Sequence, residues 1–104
     1  MAKLFLTYKL KAGISRETFE AWTRERDYPA MRGLTRVHSF VNHRTVSRLF
    51  SEASPSCDYI EVFDIPHFEG FIANDLPGDV VQAVMGDFMG FVENPEFIVA
   101  EDVV

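Results

Sequence analysis

The stretch Trp22–Thr45, WTRERDYPAMRGLTRVHSFVNHRT, decides the fold. It reads as the end of an amphipathic helix, a bend at Asp27-Tyr28-Pro29, one more turn, a stop at Gly33 and then a long strand over 35–45. Tyr28 precedes proline, which disfavours the α region, so the helix is expected to end or bend there. Pro29 suits the opening of a new helical turn, because its missing N–H is not needed at that position. Gly33 suits a left-handed helix stop. Arg24, Arg26, Asp27 and Tyr28 crowd this bend, which can hold a small ligand or simply tie two elements together.

Outward from it, the periodicities give further elements. Residues 3–10 alternate as a strand, with Leu4, Leu6, Tyr8 and Leu10 on one face and Phe5, Thr7 and Lys9 on the other. Ser15 is an N-cap candidate, and Thr18, Phe19, Trp22 and Arg26 form the expected helical stripe. Residues 46–56 carry Ser51, Ser54, Pro55 and Ser56 and read as a loop. Residues 58–65 are a third strand, and Pro66 ends it. A short helix over 66–74 follows. Asp79 and Gln82 have capping-box spacing ahead of the stripe Val81, Val84, Met85, Phe88 and Met89. Asn94-Pro95 is expected to turn the chain into a fourth strand over 97–103.

The order βαββαβ is the ferredoxin-like arrangement, an α+β domain spanning residues 1–104 with a four-stranded antiparallel sheet and both helices on one face. On strands 1 to 3 both faces carry apolar groups, unlike the clean alternation of a solvated sheet. A second copy covering the open face explains the pattern, so a homodimer is expected.

Composition narrows the function classes. The 104 residues carry a net charge of −6, and none of the ten Lys and Arg lies beyond Arg48. No basic tract exists, which argues against nucleic acid. Ten Phe, Trp22 and three Tyr make the chain rich in rings, for a core or for a pocket. A single Cys57 excludes an internal disulfide. No signal-peptide pattern and no membrane-length apolar run is present, so a cytoplasmic protein without a membrane partner is expected. His38 and His43 point to opposite faces of a strand, and there is no HExxH or Cys pair, so no metal site is expected. No glycine-rich phosphate loop follows a strand, and no nucleotide cofactor is indicated.

The best remaining group is Tyr8, Trp22, Arg26, Asp27 and His38. Trp22 could stack on a flat ligand, though its place on the apolar stripe makes core the commoner reading. Asp27 or His38 could move a proton in a semi-apolar cleft. Equally, Asp27 could cap the turn at Pro29, and His38 could be a hydrogen-bonded strand residue or a dimer contact. Glu61 is a weaker candidate, read first as a cross-strand ion pair with Lys9.

Taken together, Trp22, Asp27-Tyr28-Pro29, Gly33-Leu34-Thr35-Arg36, the strand 59–64 and Asp87-Phe88 with Phe91-Val92-Glu93-Asn94-Pro95 resemble the dimeric α/β-barrel superfamily. Within it the chain resembles the RedY-like (HapK-like) proteins of prodiginine, red tripyrrole pigment, clusters. The resemblance covers nearly the whole chain. It implies two ferredoxin-like subunits with facing sheets and a ligand cleft in each, between helices and sheet. Relatives include cofactor-independent monooxygenases, polyketide cyclases, EthD-like proteins and haem-handling members. Many carry a histidine in a Glu-His-x-Pro-like pattern where Asp27 stands here, with Pro29 keeping the spacing. The expected function is binding of a small apolar or aromatic molecule in secondary-metabolite biosynthesis. As an enzyme, the protein would catalyse a cofactor-free condensation or cyclisation, with Asp27 and His38 handling protons and Tyr8, Trp22, Arg26 and Phe40 holding substrate. The alternative is a non-catalytic binder or chaperone of a reactive intermediate. A haem-active relative is the third reading.

Overall fold

A computed structural model describes residues 2–104. The chain runs β1 (Ala2–Leu10), α1 (Arg16–Trp22), a π-helical segment (Thr23–Asp27), α2 (Tyr28–Arg32), β2 (Ser39–Arg44) and β3 (Tyr59–Ile65). It continues with α3 (Phe68–Gly70), a second π-helical segment (Phe71–Asp75), α4 (Asp79–Phe91) and β4 (Val92–Glu101). All strand pairs are antiparallel, in the order β2-β3-β1-β4. This is the ferredoxin-like βαββαβ fold.

One face of the sheet carries the core. Leu6, Tyr8, Phe40, Tyr59, Phe63 and Ile65 pack there against Phe19, Met31, Val81 and Phe88 from the helices. The rings interlock: Tyr8 meets Phe88 edge-on at 4.9 Å, Phe19 lies 4.9 Å from Tyr59, and Phe40 stacks on Phe63 at 4.0 Å. Across the other face the registers align Val41, Val62, Phe5 and Ile98 in one transverse apolar row. Val41 and Ile98 are exposed, and Phe5 and Val62 are half-buried. Thr7 and Ile60 pair in the next row, so Phe5 and Ile60 share this open face.

The helix does not stop before Pro29. Tyr28 stays helical at φ −57° and ψ −52°, and its N–H reaches back to the carbonyl of Thr23. That i→i−5 bond belongs to a widened turn, a common way for a helix to absorb a proline. The widening also sets which residues face the sheet. Phe19, Thr23, Asp27 and Met31, each four apart, are all buried. A regular helix would rotate such a stripe by about 40° per step, and the wide turn removes part of that drift. The expected stripe through Arg26 is therefore wrong in phase, and Arg26 is exposed.

Other boundaries differ from expectation. Gly33 is not left-handed: its φ is −76°, and it is glycine where a Cβ would come within 3.1 Å of the Pro29 carbonyl. β2 starts at Ser39, because Leu34 and Val37 close a turn ahead of it, and His38 N–H joins the sheet by donating to Asp64 at 2.8 Å. Ser15 caps α1 as expected, accepting from Thr18 N–H at 3.1 Å. α4 instead begins after Gly78 with no side-chain cap, and Gln82 donates to the Leu76 carbonyl at 2.8 Å. Asn94-Pro95 does not turn the chain. β4 already runs from Val92, and the β1–β4 register slips between Thr7 and Lys9. Asn94, at φ +53°, supplies the left-handed residue of this bulge.

Asn94 tolerates that conformation better than a branched residue does. Asn94→Val is expected to lower unfolding free energy by about 1–2 kcal/mol in urea denaturation, while Asn94→Gly leaves it within a few tenths.

Candidate functional site

The site begins with Glu61, at the centre of β3 on the face covered by helices. Its neighbours in register are Leu6 on β1 and Asn42 on β2. It is 2 % exposed. The expected ion pair with Lys9 does not form, because Lys9 is exposed and pairs in register with Glu93 on β4. Glu61 Oε2 instead accepts a short hydrogen bond from the Tyr8 hydroxyl. The Asn42 amide donates to the Tyr8 oxygen at 2.8 Å and to Glu61 Oε2 at 3.5 Å. Asn42 is fixed in turn by its backbone N–H, which donates to the Tyr28 hydroxyl at 2.9 Å.

Asp27 faces the same place from above. It ends the π-helical segment, is 3 % exposed and makes no cap bond to the turn at Pro29. Asp27 and Glu61 both line a cavity of about 40 Å³ whose other walls are apolar: Leu6, Met31, Phe63, Val81, Met85 and Phe88 among them. This is room for a water molecule or two, not for a flat organic ligand. The rings of the core fill the rest of the space beneath the helices.

A larger opening, about 390 Å³, lies at the β2 edge of the sheet. Glu20, Thr23 and Arg24 line it from the helix, Asn42, His43 and Arg44 from β2, with Tyr28 and Tyr59. Its volume is in the range of small-molecule sites. Glu20 organises this mouth. It accepts from Arg44 Nε at 2.8 Å, from Arg44 Nη2 and from the Tyr59 hydroxyl at 2.6 Å. Those bonds, Arg44 first, hold its carboxyl down to about 2. Asn42 belongs to both places: it lines the cleft and bonds Tyr8 and Glu61. Asn42 thus links the cleft to Glu61 of the inner cavity.

Burial drives the proton chemistry of the inner group. It pushes Asp27 up to about 7, against the opposing charge of Arg32. It pushes Glu61 up to about 8, helped by the charge of Asp27 and opposed by the Tyr8 hydrogen bond. Burial, then the neighbouring Glu61, also raises the Tyr8 phenol. Two carboxyls in one apolar pocket cannot both ionise cheaply, so the pair retains a proton near neutral pH.

The residues singled out in the sequence scatter. Tyr8 and Asp27 meet at Glu61. Phe40 is buried, stacked on Phe63. Trp22 is half-buried against Phe19 and Phe91, and its indole N–H donates to Asp87 at 3.3 Å. Arg26 and His38 are exposed and line neither space. Sequence reasoning missed Asn42, and it ranked Glu61 low. A glutamate alternating with Tyr59 and Phe63 on a ring-rich strand was the available signal.

The family model described as "REDY-like protein HapK" matches residues 2–103. The chain belongs to this HapK family. The crystal structure of HapK from Hahella chejuensis superposes with a TM-score of 0.80 at 23 % identity, covering 99 % of this chain and 93 % of that one. An Arabidopsis thaliana protein gives a TM-score of 0.82 at 15 % identity, covering 100 % and 97 %. A dimeric ferredoxin-like protein from Thermobifida fusca gives 0.72 at 12 % identity, covering 97 % and 90 %. At these identities the likeness is one of fold, and structural relatives of the HapK family chain include dimeric proteins. No curated protein sequence matches the chain. Among the described residues, no helix is long and apolar enough to cross a membrane, and no cluster of three or more His, Cys, Asp or Glu could hold a metal.

The buried carboxyls tie stability to pH. Their folded values lie above the unfolded ones, so the folded state binds more protons in between. Stability from this source is fully present below about pH 4 and is lost as pH rises through about 7 to 8. The slope is on the order of 1.4 kcal/mol per pH unit for each group. Glu61→Gln is expected to flatten the melting temperature between pH 5 and pH 9 and to raise it at the alkaline end, as followed by circular dichroism.

Proposed function

We propose that the protein is a cytoplasmic homodimer that binds a small, flat, mostly apolar molecule in the cleft at the β2 edge. It acts in prodiginine-type pigment or other secondary-metabolite biosynthesis, and it promotes a condensation or cyclisation by general acid–base chemistry without a cofactor. The observation that carries the chemistry is the Asp27–Glu61 pair, two buried carboxyls holding a proton near neutrality in an apolar pocket directly behind the cleft wall. Groups with such values serve as acid and base at working pH. Membership of the HapK family supports the pathway.

In this reading Asp27 and Glu61 divide the work, one carboxylate accepting a proton while the neutral partner donates one. Tyr8 and Asn42 hold Glu61 in place and separate it from the outer cleft until a ligand displaces part of that wall. Glu61 takes the part that sequence reasoning offered to His38. Trp22 and Arg26 have no direct role in it. The second reading is a non-catalytic binder of a reactive intermediate. The observation favouring it is the same wall: a ligand confined to the outer cleft does not reach the carboxyls.

The dimer reading rests on the apolar row Val41–Val62–Phe5–Ile98 across the open sheet face and on dimeric relatives. Row-to-row stacking of two such sheets about 10 Å apart would bury it.

Two measurements test these proposals. Turnover of a bipyrrole aldehyde, followed by absorbance, is expected to fall by about a hundredfold or more in Asp27→Asn with binding retained. Binding without turnover in the unaltered protein would leave only the binder. Light scattering at micromolar concentration is expected to report a dimer, and Phe5→Asp a monomer or aggregate. A monodisperse monomer for the unaltered chain would overturn the dimer.

A further inference from the structure

We propose that the β2-edge cleft takes its ligand as an anion: a flat molecule carrying a carboxylate or comparably acidic group, bound by Arg24 and the free edge of Arg44. The inference rests on the cleft being the ligand site. It adds the chemical class of the ligand and names the residues that read it.

The chain as a whole is acidic, at −6, yet this cleft is locally cationic. Three of its lining side chains carry full charge: Arg24, Arg44 and Glu20. Glu20 is already saturated by Arg44 and Tyr59. Arg44 gives Nε and Nη2 to Glu20, which leaves Nη1 unused there. Arg24 makes no ion pair or side-chain hydrogen bond among the described residues, while Arg16, Arg36 and Arg44 each find a carboxylate. Arg24 lines the cleft beside Glu20, and its charge is the smallest of several that hold the Glu20 carboxyl down. One positive charge is therefore uncompensated at the mouth. Asp27 and Glu61 line the inner cavity and not the cleft, and between them they keep a proton near neutrality.

The remaining lining suits the rest of such a ligand. Tyr28 presents a ring held rigid by Arg32 on one side, 3.6 Å from its centroid, and by the edge of Phe40. Thr23 and Asn42 close the inner end. A guanidinium presents planar paired donors that match a carboxylate. An acidic group at the mouth and a ring running inward would bring the far end of the molecule against Asn42, next to Tyr8 and Glu61. A neutral ligand of the same shape would leave Arg24 unpaired and gain nothing from it.

The test uses the full chain at pH 7 with 2-naphthoate and its uncharged methyl ester as probes, read by amide NMR shifts and titration calorimetry. The acid is expected to shift Tyr28, Asn42 and Arg44 amides and to bind about tenfold tighter than the ester. Arg24→Gln is expected to remove most of that difference, leaving the part owed to Arg44, Arg24→Lys to restore part of it, and added salt to weaken the acid alone. Arg24 is exposed, so neither substitution endangers the fold. Equal binding of acid and ester at those amides would overturn the anion assignment while leaving the cleft as ligand site. Shifts confined to other regions, or none for either probe at millimolar concentration, would overturn both.

Discussion

A carboxyl group in the middle of the central strand pair, under a roof of rings, is the constraint around which this protein is arranged. Glu61 sits where a ring-lined core would normally place an aliphatic side chain. An ionised carboxylate in such a place is prohibitively costly, so the group is kept neutral or paired. Tyr8 and Asn42 supply the hydrogen bonds from the two flanking strands, and Asp27 comes down from the helix to the same cavity. Placing a second acid beside the first raises both groups towards neutrality, an arrangement that is hard to justify by stability alone.

The helix above is shaped to the same end. The π-helical turn before Pro29 keeps a four-residue spacing facing the sheet, so Phe19, Thr23, Asp27 and Met31 all point inward. Thr23 satisfies its hydroxyl on the Phe19 carbonyl at 3.0 Å, and Met31 is apolar. Asp27 alone on that stripe brings an acid into the core. Wide turns of this kind recur at functional positions because they move one side chain without breaking the helix.

The space beneath the helices is not hollow. Interlocked rings from β1, β3, α1 and α4 leave about 40 Å³ beside the two acids. The opening that adjoins this pair is instead at the sheet edge, between β2 and the helical residues Glu20, Thr23 and Arg24. Cleft and proton-holding pair are therefore adjacent but separate, joined only through Asn42 and Tyr8. In the proposed reading, binding in the cleft and proton transfer behind it are distinct events, coupled through whatever shifts Asn42 and Tyr8.

The order of elements and the antiparallel sheet were legible in the chain because strand alternation and helical stripes are local periodicities. The ferredoxin-like fold followed from them, as did the apolar character of the open face. Asp27 could be singled out because an acid next to Tyr28-Pro29 is conspicuous. Its partner could not be found that way. Glu61 is thirty-four residues away, and its meaning depends on which strand neighbours it and which side of the sheet is covered. Arg26 and His38 failed for the same kind of reason: one unit of helical phase, or a strand starting four residues late, moves a side chain from cavity to solvent. Sequence by itself determined which segments pair and which faces are greasy, since those depend on neighbours within a turn or two. Only the tertiary structure decided which acids share a cavity, because their protonation depends on distance and burial summed over three strands and a helix.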